Sequence, residues 1–389
     1  MNVKQFLAWR YIRSKNSHSV IRWISGLSIL VTIVVSFAMV VVLSAFNGIQ
    51  GLVNSFYDTF EPTYDVYAEP SELNGIPALL PQGVKSEKVV EAEGLLQYEG
   101  RQTWVVFKGV SKDYLKSTGL VHALTEEPLM NKLSGSWVVP GLGVKYNLGL
   151  PHSVQLFSSV SATMYSGKKS VMNPGASLVK KPVNVGSYFS VGPEFDLKYV
   201  LCPLAFLTES NPKLEEFAHL EVWDTTGVIR GKEDLVQLLP GGTKVEDVKD
   251  RHGFVFKTHR TEKRMTFLIL FMVLFISLFN AVASVVMLVL DKKREVQILG
   301  HLGMEVKAIR RVFYNQSLLM GIIGVCTGLL LGVLFVSAQS AFGIIPFEGG
   351  VVPNYPVELM FQDLLIILVT VITTIGLFSA IPVRYIIRN

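Results

Sequence analysis

Four stretches of the chain carry no charged side chain and no histidine: residues 23–57, 265–290, 312–347 and 364–383. A helix needs about 20 mainly apolar residues to cross bilayer hydrocarbon, because each residue advances roughly 1.5 Å. Each stretch therefore predicts a transmembrane helix. One central Arg, Lys or Asp would cost about 2.5–3.5 kcal/mol on insertion, so the absence of charge is informative. The pattern changes between the first and second stretches. Strand-length apolar and aromatic runs recur at 104–107, 137–139, 154–157, 188–191 and 199–201, separated by Gly, Pro, Asn and Ser clusters. They predict a mixed α/β domain with much strand. Short helices are expected at 84–93, 204–208 and 232–239. Residues 160–183, with Gly167, Lys168, Lys169, Pro174 and Lys180, predict an exposed hairpin or loop. The expected fold class is a membrane protein with an α-helical four-span transmembrane domain and a large mixed α/β extracytoplasmic domain.

Composition supports a chain partly solvated by lipid: 50% of the 389 residues are hydrophobic, 17% are charged and mean hydropathy is +0.40. The distribution of cations sets an orientation, since Lys and Arg near membrane ends stay on the cytoplasmic side. Lys4, Arg10, Arg13, Lys15 and Arg22 precede the first run; Lys292, Lys293, Arg294, Lys307, Arg310 and Arg311 lie between the second and third; Arg384 and Arg388 follow the last. The loop 348–363 carries Glu348, Glu358 and Asp363 and no basic residue. Both termini are thus expected in the cytoplasm, and residues 58–264 outside. The net charge of +5 partly reflects these flanks and carries no nucleic-acid reading. The first run is far longer than the roughly 7–15 apolar residues of a signal peptide, so it predicts a retained helix. The preceding residues 1–22, with Phe6, Leu7, Trp9, Tyr11 and Ile12 among cations, suit either an interfacial elbow or a plain helix extension. The segment order is then elbow 1–22, helix 23–57, outer domain 58–264, helix 265–290, cytoplasmic segment 291–311, helix 312–347, outer loop 348–363, helix 364–383 and tail 384–389.

Catalytic motifs are missing. The chain has no G-x-x-x-x-G-K-[ST], H-E-x-x-H, C-x-x-C or G-x-S-x-G, and Ala162 stands where a phosphate loop ending at Lys168 would need its first glycine. The seven histidines show no ligand spacing, so no metal site is expected. Cys202 and Cys326 fall at depths that exclude a disulfide between them. No span carries the ionisable residue that proton or ion pathways require. A transporter built on this chain would draw its energy from another subunit.

The connection 291–311 is the most informative short stretch. Val296, Leu299, Leu302, Val306, Ile309 and Phe313 recur at steps of three and four, one face of an amphipathic helix, with charges elsewhere. Gly300 and Gly303 each weaken a helix by roughly 1 kcal/mol relative to Ala, so a short helix, a bend at Gly303 and a second helix are expected. Such a segment either lies on anionic lipid or docks in a groove of a separate subunit; periodicity alone leaves the two even.

Three blocks of sequence resemble the FtsX-like permease superfamily of ABC transporters, and within it the lipoprotein-releasing permeases of the LolC/LolE type. The first runs from Leu7-Ala8-Trp9-Arg10-Tyr11 to Val41-Val42-Leu43-Ser44-Ala45-Phe46-Asn47-Gly48. The second is Glu262-Lys263-Arg264-Met265 through Phe279-Asn280 to Asp291-Lys292-Lys293-Arg294-Glu295-Val296-Gln297-Ile298-Leu299 and Leu302-Gly303. The third is Tyr355-Pro356-Val357-Glu358-Leu359. The resemblance implies a non-catalytic inner-membrane subunit with a periplasmic domain of MacB-like core type. It would pair with a second permease copy or paralogue and with a cytoplasmic ATPase that uses ATP and Mg, with no cofactor on this chain. Glu295, Val296, Ile298, Leu299, Leu302 and Gly303 correspond to the ATPase-docking segment, although Gly300 replaces the family's usual arginine. Lipoproteins would enter from the membrane into a cavity that includes Met39, Val42 and Phe46, apolar positions that equally suit helix packing or lipid contact. A loop at Lys168, Lys169 and Pro174 lies where one paralogue recruits a periplasmic carrier, without a residue-by-residue match. Gly321, Gly324, Gly328 and Gly332 share one face of the third span, as close helix packing requires. Two rival readings fit the same topology: a MacB-like exporter of peptides or antimicrobials, and an FtsX-like signal transmitter that activates a cell-wall hydrolase.

Overall fold

Three of the charge-free runs fall within long helices, α1 (Ser19–Phe60), α2 (Gly253–Asp291) and α5 (Phe361–Ile386). The run 312–347 lies in a fourth, α4 (Val306–Phe342), only as far as Phe342, where Gly343 at φ +59° ends the helix; a short α3 (Lys293–His301) lies between α2 and α4. This computed structural model describes residues 19–126, 136–151, 160–167, 177–347 and 352–386. The elbow residues before 19, the run 154–157 and the loop positions Lys168, Lys169 and Pro174 lie outside the described residues. Among the described residues, three helices are long and apolar enough to cross a membrane, at Gly26–Phe60, Val306–Phe342 and Phe361–Ile381. The chain divides into two compact units, Met1–Leu52 with Lys257–Asn389, and Val53–Phe256.

In the helical unit the glycine face of α4 lets other helices approach to backbone distance. A Cβ on Gly328 would stand 2.6 Å from the Ile33 carbonyl oxygen and 2.7 Å from the Ser36 Cβ of α1. One on Gly324 would meet Thr32 at 2.8 Å, and one on Gly332 would meet Val40 at 2.7 Å. Gly321 faces α5 instead, with Ile375 at 2.6 Å from such a Cβ. Small residues serve this way in membranes because lipid offers helices no hydrophobic drive to associate, leaving close packing to hold them. Val35, Met39, Val40, Leu43, Leu274, Val336, Ile367 and Val371 form the core of the unit.

The other unit is built on nine strands: β1 (Tyr64–Tyr67), β2 (Lys85–Tyr98), β3 (Arg101–Val110), β4 (Trp137–Pro140), β5 (Val160–Tyr165), β6 (Leu178–Val185), β7 (Tyr199–Pro203), β8 (His219–Trp223) and β9 (Lys244–Asp247). The pairings β2–β3, β3–β7, β7–β4, β4–β6, β6–β5 and β5–β2 close a six-stranded ring of mixed direction. Closure removes sheet edges that would otherwise pair with other chains. The first half of β2 leaves the ring to pair with β8, which continues into β1 and β9. The outermost strand, β9, is short and carries Lys244, Glu246 and Asp247, charges that blunt the remaining edge.

Two expectations are corrected. Residues 84–93 fall in the long strand β2, not a helix. Their Val-Val-Glu-Ala-Glu pattern suits either state, and pairing with β8 and β3 overrides local propensity. Residues 188–191 are no strand either; Phe189 makes only isolated bridges with Leu124 and Gly141. Its ring is buried against Phe60 in an aromatic cluster with Tyr57, Phe195 and Trp223. Helices do form at Leu204–Ser210 and Lys232–Leu238, and β5 and β6 pair as the two sides of a hairpin.

Candidate functional site

One face of the first turns of α2 alternates in chemistry along its length. Arg260, Lys263 and Arg264 are followed at helical spacing by Phe267, Leu268 and Phe271. With Leu43 of α1 and Asp363 and Ile366 of α5, these residues line a cavity of about 460 Å³ whose wall is almost entirely apolar. Small-molecule pockets fall in the range of about 300–1,000 Å³. The polar members are ordered by a closed triad. Asp363 Oδ2 accepts from Asn47 Nδ2 at 2.6 Å and from Lys263 Nζ at 3.2 Å, and Lys263 Nζ also donates to Asn47 Oδ1 at 2.8 Å. Three helices, α1, α2 and α5, are thereby pinned together beside the cavity. The approach to α5 is fixed as well: the Glu358 N–H donates to the Ser44 carbonyl at 2.9 Å, and a Cβ on Gly48 would sit 2.4 Å from the Pro356 backbone.

The expected cavity residues sit on α1 beside Leu43. Met39 is 0% exposed inside the core of the unit, Phe46 is half-buried and Val42 is 38% exposed; Leu43, between them, lines the cavity. The signal that reading missed is the recurrence of Arg260, Lys263/Arg264, Phe267/Leu268 and Phe271 on one face, which bridges the end of the polar segment and the start of a charge-free run.

The segment between α2 and α4 bends where its glycine requires. Leu302 follows the end of α3, Gly303 takes φ +86°, and α4 begins at Val306. Only glycine adopts that backbone region without strain. The apolar stripe is not buried along its whole length. Val296, Val306, Ile309 and Phe313 pack with Val285, Val289 and Val383. Ile298 and Leu302 turn outward, 57% and 78% exposed. The side chains of Glu295 and Leu299 lie outside those described.

The β-rich unit hides a second concentration of charge. Lys108 Nζ lies 2.7 Å from Glu221 Oε1, with both side chains 2% exposed. Tyr114 donates its hydroxyl to Glu221 Oε2 at 2.7 Å, and the Lys108 ammonium lies 4.7 Å from the centre of the Phe60 ring. Burial alone would lower the Lys108 pKa, but the Glu221 and Glu91 carboxylates outweigh it and hold it above the ordinary value. Asp65 is pushed up to about 7 by burial, against the pull of Arg251, which pairs with it. Burial holds His219 below the usual imidazole range. Asp65, His219 and Glu221 each place a ligand atom within 4.8 Å of the others, a grouping the sequence does not announce. Both Glu221 oxygens are engaged by Lys108 and Tyr114, and Asp65 by Arg251. The arrangement works as an ion network that joins β1, β3, β8 and the segment after β9.

Residues 267–389, which include the far part of the cavity, match the FtsX-like permease C-terminal family. This part of the chain is an FtsX-like permease domain. The likeness extends beyond it. The lipoprotein-releasing system transmembrane protein LolE of Haemophilus influenzae is 22% identical over 98% of this chain and 96% of its own length. The lipoprotein-releasing system transmembrane protein LolC of Xylella fastidiosa is 23% identical over 92% of this chain and 90% of its own. The periplasmic region of MacB from Actinobacillus actinomycetemcomitans, a solved structure, is 9% identical, covers 53% of this chain and 98% of its own, and gives a TM-score of 0.32, too low to transfer a fold. The FtsX-like domain thus contributes Phe267, Leu268, Phe271, Asp363 and Ile366 to the cavity, while Leu43, Arg260, Lys263 and Arg264 come from outside it.

Proposed function

We propose that this chain is the permease subunit of an ATP-driven transporter that extracts lipoproteins from the outer leaflet of the bacterial inner membrane and passes them to a periplasmic carrier. The observation that carries this reading is the near full-length likeness to lipoprotein-releasing transmembrane proteins, joined to an FtsX-like domain. The geometry supports it. An apolar cavity can take acyl chains without desolvating polar groups, and the cations beside it suit the region where hydrocarbon meets headgroups. In this reading all four helices span the membrane, both termini are cytoplasmic, and the β-rich unit lies in the periplasm. The chain itself is non-catalytic. A separate ATPase binds ATP and Mg, and a second permease copy or paralogue completes the transporter.

Ile298 and Leu302 are large exposed apolar side chains of the connection, and they are the apolar contacts offered to the ATPase. Replacing both, as Ile298→Glu with Leu302→Glu, should abolish co-purification of the ATPase while the permease remains inserted. Retained ATPase binding would assign this segment to the lipid surface.

A further inference from the structure

The charges around the cavity do not cancel. Of its four ionisable lining residues, Lys263 and Asp363 neutralise one another at 3.2 Å. Arg260 and Arg264, both exposed and one helical turn apart, remain beside an otherwise apolar chamber. The neighbouring carboxylate, Glu262, stands 3.3 Å from His259 Nδ1. A neutral acyl chain would need no cations here, and a soluble anion would have no use for Leu43, Phe267, Phe271 and Ile366. An amphiphile with a negative headgroup satisfies both halves. Guanidinium groups match phosphate oxygens with paired N–H donors, and Arg is less strongly hydrated than Lys, so it gives up less water on binding.

We propose that this cavity is a binding site for an anionic phospholipid, with acyl carbon against Phe267, Phe271 and Ile366 and the phosphate between Arg260 and Arg264. The inference rests on the permease reading above and adds to it: an anionic lipid occupies the site between cargoes, and incoming cargo must displace it.

The test uses the full-length protein in phosphatidylcholine nanodiscs doped with photoactivatable phosphatidylglycerol or, separately, photoactivatable phosphatidylcholine, and maps labelled peptides. Phosphatidylglycerol should label the segment around residues 260–271 preferentially. A cation near an anionic lipid surface contributes about 1 kcal/mol, roughly a fivefold effect, so Arg260→Gln and Arg264→Gln should each lower that labelling about fivefold. The Arg260→Lys with Arg264→Lys variant, which keeps the charge but not the paired donors, should lose less labelling than the two glutamine variants combined, which separates loss of charge from misfolding. Equal labelling by the two lipids, or labelling unchanged in the glutamine variants, would overturn the proposal. Loss of labelling on adding inorganic phosphate would also overturn it, since the site would then serve a soluble anion. Lipoprotein retention after depletion of the protein is scored separately. Normal release there with preferential phosphatidylglycerol labelling here would refute the permease function and leave the lipid site standing.

Discussion

Lys108→Met should destabilise the β-rich unit by about 3–5 kcal/mol, the cost of leaving one member of a buried ion pair without its partner. Glu221 would then stand almost fully buried with only the Tyr114 hydroxyl to satisfy it. Met preserves much of the Lys108 packing against Phe60 and Tyr114, so the loss isolates the charge. The measurement is guanidinium unfolding of the detergent-solubilised chain, followed by fluorescence of Trp137 and Trp223, both in the core of that unit. Adding Glu221→Gln should recover part of the loss, because the orphaned charge is removed. A single-variant loss below about 1 kcal/mol, the scale of an exposed pair, would contradict the burial argument.

Gly328→Leu should wedge α1 away from α4. The new Cβ would meet the Ile33 carbonyl oxygen at 2.6 Å and the Phe37 backbone nitrogen at 3.2 Å, and neither can move without displacing the helix. Overpacking a tight site costs about 1–3 kcal/mol even where side chains can yield, and here backbone must yield. The expected result is a clear fall in thermal stability of the solubilised protein, with Gly328→Ala smaller in effect. Wild-type stability for Gly328→Leu would mean that the helices do not meet at this face.

The long helices were legible because lipid solvation demands an uninterrupted apolar length, a signal that survives without knowledge of any partner. The turn at Gly303 was legible for a similarly local reason, since two glycines interrupt a short amphipathic stretch. Its consequence was not. Periodicity placed Val296 and Leu302 on one face, whereas Val296 packs inward and Leu302, at the end of α3, is exposed. Residues 84–93 misled because their pairing is set by strands distant in sequence, β8 for Lys85–Val89 and β3 from Val90 onward, which the local pattern does not reveal. Ring closure and the network of Asp65, Lys108, His219, Glu221 and Arg251 join positions far apart in sequence. No local pattern encodes such pairings. The cavity lay between these cases. Its cations were visible just before the second charge-free run, but only the fold brings Asp363 and Asn47 to Lys263 and sets Arg260 and Arg264 beside the cavity.

Depletion of the protein followed by separation of inner and outer membranes tests the central claim most directly. In a cell without a second paralogue, outer-membrane lipoproteins should accumulate in the inner membrane as the protein is lost. Their departure at the normal rate would contradict a role in lipoprotein release.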